Sequence, residues 1–353
     1  MKKHALLSVV LVFILALSVI TANRPAFAAT DGATVTLSVD AASFGAEQPV
    51  IVHVTLANTT DHTIKVLKWQ TLVDDIEGPL FSIQRDGLPV AYIGPLYKRP
   101  APTHENYIHL KAGESITSDV DIAMYYDLSV SGDYRISYDV ASVDLYSEKG
   151  GPSREMARLT SNEISIMVSG RESQVLPLEA KKVSGTTSFS QCTTSQQNTL
   201  LSARTQASTY STDALAYQLA GKQGARYTTW FGSYDAARYD TVTTHFSSIS
   251  NAMDNAAVTF NCGCNKKYYA YVYPNQPYTI YLCRVFWSAP LTGTDSKAGT
   301  LVHEMSHFNV VARTSDWVYG QSGAKSLAIT DPAKAVTNAD NHEYFAENTP
   351  ALP

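Results

Sequence analysis

Two histidines, His303 and His307, stand four residues apart with Glu304 directly after the first of them, in the run Gly299-Thr300-Leu301-Val302-His303-Glu304-Met305-Ser306-His307-Phe308. On an α-helix four residues correspond to about 400° of rotation and one turn of rise, so both imidazoles leave the same face and can share one metal ion. Two neutral imidazoles suit Zn²⁺, a third protein ligand would complete a half-open tetrahedral site, and the fourth position is left for water. Glu304 is placed to take that water's proton and to pass it to a departing amine.

The flanking sequence must make this stretch a helix. Thr294, Asp295 and Ser296 offer N-cap oxygens, and Ala298, Leu301, Val302 and Met305 continue an apolar helical face. The third ligand is not a histidine six residues on from His307: Val310 and Arg313 occupy the positions where a metzincin has Gly and His. Instead, Thr314-Ser315-Asp316-Trp317-Val318-Tyr319-Gly320 brings a carboxylate nine residues after His307 and a tyrosine three further on.

With these motifs the chain resembles the aspzincins, the deuterolysin family of zinc endopeptidases, and within it the peptidyl-Lys metalloendopeptidase branch. The likeness runs over about residues 190 to 353 and includes Tyr227-Thr228-Thr229-Trp230-Phe231-Gly232-Ser233-Tyr234, Ala270-Tyr271-Val272-Tyr273-Pro274, Gly293-Thr294-Asp295-Ser296 and Asn338-Ala339-Asp340-Asn341-His342-Glu343-Tyr344-Phe345. It implies one Zn²⁺ per catalytic domain on His303, His307 and Asp316, Glu304 as general base, and Tyr319 as the hydroxyl that steadies the tetrahedral oxyanion. It also implies that Asp340 and Glu343 form an acidic S1′ pocket for lysine, giving cleavage on the amino side of lysine in protein and peptide substrates. The family usually has Gly immediately before the Thr of the ligand turn; here that position is Arg313.

The remaining chain must carry and control this site. Met1-Lys2-Lys3-His4 followed by the apolar run Ala5 to Ile20 reads as a signal peptide, residues 1–28, with Ala26-Phe27-Ala28 as the cleavage context. The mature chain is therefore expected to be secreted, with no membrane anchor after signal removal. With 27 basic against 32 acidic residues, net charge about −5, there is no electrostatic case for a nucleic-acid partner. Four cysteines, Cys192, Cys262, Cys264 and Cys283, suggest two disulfides in an exported chain; spacing alone allows three connectivities. The family resemblance implies Cys192 with Cys262 and Cys264 with Cys283.

Residues 29–170 show period-two alternation, in Thr34–Val39, Val50–Leu56, Thr63–Leu67, Phe81–Gln84 and Tyr134–Tyr138, with Asp86-Gly87 as a hairpin turn. The fold class expected is two-domain: an all-β sandwich of immunoglobulin-like type followed by a mainly α, zincin-type catalytic domain, 189–353, with a small sheet or hairpin over 257–284. Helical spacing covers 193–221 and 235–253. Four β-half histidines, His53, His62, His104 and His109, are scattered and form no catalytic cluster. The polar stretch 171–188 between the halves reads as a cleavable linker. The β half is thus expected to be a propeptide acting as intramolecular inhibitor or folding aid. Lys181 and Lys182 offer a self-processing site, and Lys98, in the Pro-rich loop Gly94–Pro102, could imitate a substrate lysine in the S1′ pocket.

Two other readings remain open at this level. Glu343 or Glu347 could be the third ligand, as in the thermolysin class, giving a zinc endopeptidase of broader specificity. Alternatively, the chain could be a secreted binding protein with a degenerate protease half, though a binding module has no use for Glu304.

Overall fold

A computed structural model describes residues 32–148, 151–170 and 185–353. The expected signal peptide, 1–28, and the linker lysines Lys181 and Lys182 lie outside the described residues.

The N-terminal half is built from β1 (Ala33–Ser38), β2 (Ser43–Phe44), β3 (Ile51–Asn58), β4 (Ile64–Leu67), β5 (Phe81–Arg85), β6 (Leu88–Pro89), β7 (Leu96–Lys98), β8 (Tyr107–Leu110), β9 (Ser115–Asp121), β10 (Gly132–Ser142), β11 (Ser147–Glu148), β12 (Gly151–Pro152), β13 (Ala157–Thr160) and β14 (Ile164–Val168). Alternation places one face of each long strand inward: in β3, Val52, Val54, Leu56 and Asn58 are buried while the residues between them are not. An antiparallel sheet β1-β3-β9 and a sheet β2-β14-β10-β5-β6, with β13 also on β10, share one apolar core. Val54 and Leu56 enter it from one sheet, and Ile83, Tyr134, Ile136 and Ile166 from the other. The Asp86-Gly87 turn joins β5 to β6 with positive φ at both residues, 50° and 79°, the two-residue hairpin geometry that matches strand twist.

The C-terminal half contains β15 (Thr187–Ser190), α1 (Thr194–Leu219), α2 (Ala225–Phe231), α3 (Ala236–Asn255), β16 (Val258–Asn261), β17 (Ala270–Val272), β18 (Thr279–Leu282), α4 (Arg284–Ser288), α5 (Lys297–His307), α6 (Gly320–Thr330), α7 (Pro332–Ala335) and α8 (Ala339–Glu347). Helix α1 packs on α3 and α5, and α5 packs on α8. Every residue of α5 is buried, so the sequence apolar on one face becomes the central helix of the half. Cys192 is bonded to Cys262 and Cys264 to Cys283, as the resemblance implies.

Three sequence expectations change. Residues 257–284 do not form a simple hairpin: β16 and β18 run parallel, and β17 pairs antiparallel on the far side of β18. Thr187 and Ser188, read as linker, begin β15, which pairs parallel with β16 and so belongs to the sheet of the C-terminal half. The sheet order is β15-β16-β18-β17-β7, so its last strand comes from the N-terminal half. Antiparallel register sets Lys98 opposite Ala270, Tyr97 opposite Tyr271 and Leu96 opposite Val272.

A second contact joins the halves. Val143 and Met156 pack with Val318, Leu327, Ala328 and Ala335 in a small core of their own. Asp144, ion-paired with Arg154, lies against Gly323, where an added Cβ would come within 3.1 Å of its carboxylate. Among the described residues, no helix is long and apolar enough to cross a membrane.

Candidate active site and metal centre

The site is assembled on α5. Ser296 caps the helix, its hydroxyl accepting from Gly299 N at 2.9 Å. The Glu347 carboxylate at the end of α8 accepts from Ser296 N at 2.9 Å, from Ser296 Oγ at 2.8 Å and from Asp295 N at 3.2 Å. Glycine at 299 permits this approach, because a Cβ there would stand 2.1 Å from Glu347 Oε1.

His303 and His307 are fully buried with ring centroids 4.8 Å apart. The chain leaves α5 and turns back so that Thr314 O accepts from His307 Nδ1 at 2.9 Å, which fixes the tautomer and leaves Nε2 free to ligate. The same turn brings Asp316 to the histidines: Oδ1 lies 3.1 Å from His303 Nε2 and Oδ2 3.4 Å from His307 Nε2. Arg313 at its start has φ 53°, the left-handed conformation that glycine adopts freely. The loop is then fastened to the start of α8. Ser315 bridges Asn338 in parallel, and the Asn338 side-chain oxygen accepts from Trp317 N at 2.8 Å and Val318 N at 3.3 Å.

These residues fit zinc on the geometry of their donors. Tetrahedral bonds of about 2.0–2.2 Å place neighbouring ligand atoms about 3.3 Å apart, close to the 3.1 and 3.4 Å found. The three donor atoms are buried without a hydrogen-bond partner, a state that ligation would relieve. Both Glu304 oxygens are likewise buried and unpartnered, and burial pushes its carboxyl well above the ordinary range. Burial also pushes Asp316 up, but His307 and His303 outweigh it and hold the carboxyl well below its usual range. His303 Nδ1, on the other side of its ring, lies 2.9 Å from Asp340 Oδ1 and 3.3 Å from Glu343 Oε2. Of the two alternative third ligands, Glu347 is committed to the α5 cap, and Glu343 meets His303 through Nδ1 rather than through the Nε2 that faces His307's partner.

Asp340 and Glu343 are fully buried on one face of α8. Between them sits the Lys98 ammonium: Nζ is 2.6 Å from Glu343 Oε2, 3.3 Å from Asp340 Oδ1 and 3.5 Å from Asp295 Oδ1. The rings of Tyr269 and Tyr344 stand 5.0 and 5.7 Å from Nζ, and the Tyr344 hydroxyl donates to Asp295 Oδ1 at 2.7 Å. Burial disfavours the ammonium, but Asp340, Glu343 and Asp295 outweigh it, so Lys98 is held charged. One residue earlier, Tyr97 O accepts from the Tyr319 hydroxyl at 2.7 Å. Tyr344 and Asn338 carry no role in the sequence reading, Asp295 only that of a cap candidate, and Glu347 only that of an alternative ligand. The Gly-Thr-Asp-Ser and tail motifs contain all but the last, yet only the packing of α8 on α5 says what they do.

The aspzincin M35 family, described as lysine-specific metallo-endopeptidase, matches residues 216–347. An extracellular protease of Aeromonas hydrophila is 46% identical over 314 residues, covering 87% of this chain and 90% of that protein. A peptidyl-Lys metalloendopeptidase of Armillaria mellea is 37% identical over 313 residues, 85% of this chain and 87% of its own length. A solved zinc peptidase from Grifola frondosa, 50% identical, aligns with 46% of this chain and all of its own, with a TM-score of 0.45. The chain belongs to the aspzincin M35 family and is a zinc metalloendopeptidase.

Proposed function

We propose that this peptidase hydrolyses Xaa-Lys bonds and is made as a secreted zymogen: signal peptide 1–28, an immunoglobulin-like propeptide 29–170, and a linker, 171–188, cut at Lys181 or Lys182. The observation that carries the specificity is the buried Lys98 ammonium among Glu343, Asp340 and Asp295. Zinc held by His303, His307 and Asp316 would supply Lewis acidity and lower the pKa of water toward about 7. Glu304 takes the proton of the attacking water and delivers it to the lysine amide nitrogen as the bond breaks. Tyr319 donates its hydroxyl to the oxygen of the preceding carbonyl as negative charge develops there, the contact that its 2.7 Å bond to Tyr97 O supports. Asp340 and Glu343 hold the substrate ammonium and, through His303 Nδ1, orient one ligand.

A lysine in this pocket brings an ammonium to the fully buried Asp340 and Glu343 carboxylates, whereas a neutral side chain would leave these two acids buried without their cation, at a cost of several kcal/mol. The same arrangement supports latency, since the segment 96–98 fills the pocket that a substrate needs. The test is kinetic. Wild-type enzyme processed at Lys181 or Lys182, so that β15 is kept whole, is compared with Glu343→Gln on peptides that differ only as lysine and norleucine. The lysine preference in kcat/KM should fall roughly 10²–10³-fold, equivalent to about 3–4 kcal/mol. An unchanged preference would remove the lysine pocket while leaving the peptidase.

A further inference from the structure

The segment Leu96-Tyr97-Lys98 does more than fill a pocket; it lies on the site in the register of a bond about to be cut. Three independent contacts define that register. Its backbone pairs antiparallel with β17, and Tyr269 N donates to Lys98 O at 3.0 Å. The side chain of Lys98 ends on the three carboxylates. The carbonyl immediately before it, Tyr97 O, is the one that Tyr319 holds at 2.7 Å. The Tyr97 ring rests against Tyr268 and Tyr271, with centroids 5.0 and 5.3 Å away, so the residue on the other side of the bond is also seated. A plug that merely blocked the cleft would need the ammonium or the strand pairing, but not a carbonyl on the hydroxyl assigned to the oxyanion.

We infer that Tyr97–Lys98 is a substrate bond of this enzyme, cut within its own molecule. The inference rests on the Xaa-Lys reading above. One water is consumed: its oxygen joins the Tyr97 carbonyl carbon, the C–N bond breaks, and the Lys98 nitrogen takes up protons, so the products are a Tyr97 carboxylate and a Lys98 α-ammonium. Nicking does not by itself separate the halves. Strands before the bond pair with strands after it, β3 with β9 and β5 with β10, inside one core. Upstream, Ile93 N donates to Tyr125 O at 2.8 Å; downstream, Arg99 is buried with Glu77 at 2.9 Å and stacks 4.2 Å from the Tyr268 ring. The cut turns a covalently tethered strap into two ends that a substrate can displace.

The test uses the full-length chain, kept zinc-free with a chelator and then given zinc, sampled over time by mass spectrometry under denaturing conditions and by native size. Fragments ending at Tyr97 and beginning at Lys98 should appear with a rate constant unchanged by tenfold dilution, while the native species stays one particle. Glu304→Gln should leave the bond intact, and Lys98→Met should slow its loss at least 100-fold. Processed enzyme is assayed in parallel on an added Xaa-Lys peptide. If it cuts that peptide while Tyr97–Lys98 stays whole in the full chain, or is lost at a rate proportional to concentration, the inference is overturned and the specificity reading stands. If it does not cut the peptide before lysine, the specificity reading itself fails, and this inference with it.

Discussion

At the scale of single residues the site divides by which atoms converge. The Asp316 carboxylate lies 3.1 Å from His303 Nε2 and 3.4 Å from His307 Nε2, while Glu347 lies at the other end of α5 on the cap. Asp316→Ala should therefore weaken zinc binding at least 100-fold with little change in far-UV circular dichroism. Glu347→Ala should keep zinc but lose about 2–3 kcal/mol of stability, because the Ser296 and Asp295 donors are left buried without a partner. Zinc content after gel filtration and denaturant midpoints separate these outcomes, and the reverse pattern would restore the thermolysin-like ligand set. The sequence displays His303, Glu304 and His307 outright because their spacing is a helical fact. Asp316 and Tyr319 are legible only through the family likeness, since a loop has no periodicity from which to read direction.

At the scale of elements the ligand turn shows how a departure from the family pattern is absorbed. Arg313 adopts φ 53° where the family usually has glycine, and its Nε donates to Asn309 O at 2.8 Å. A left-handed non-glycine residue costs about 1–2 kcal/mol. Arg313→Gly should raise the denaturation free energy by about 1 kcal/mol, less what is lost with the Asn309 bond and the added freedom of the unfolded chain. A drop in stability would mean that the Arg313 side chain contributes more than the backbone strain. Strand alternation made β3, β5 and β10 readable, and capping chemistry located the start of α5. Which sheet a strand joins is not local information: Leu96–Lys98 reads as a Pro-flanked loop, and only the free edge of β17 turns it into a strand. The same limit explains β15 and the parallel pairing of β16 with β18, where residues far apart in the chain are neighbours.

At the scale of the whole molecule the halves are joined through the active site and through the small core around Val143 and Leu327. Acid should loosen the catalytic half by a separate route. His245 on α3 and His342 on α8 face each other at 3.0 Å, and burial pulls their pKa values down from 6.5 to about 4 and about 3. Histidines held neutral stabilise fully above their unfolded value, and that stability is lost as pH falls from about 6.5 toward 4. Denaturant midpoints at pH 7.5 and 4.5 should show a loss on the order of 2 kcal/mol from each of these histidines, and His245→Gln should shrink the difference. An equal pH difference in that variant would assign the acid sensitivity elsewhere. In the function proposed, one zinc centre and one acidic pocket act together on lysyl bonds. Mapping every cut made by the processed enzyme in a denatured protein mixture, with and without a zinc chelator, tests both parts at once. Cuts confined to bonds before lysine and abolished by chelation are expected; chelator-sensitive cuts spread over mixed residues would remove the lysine pocket.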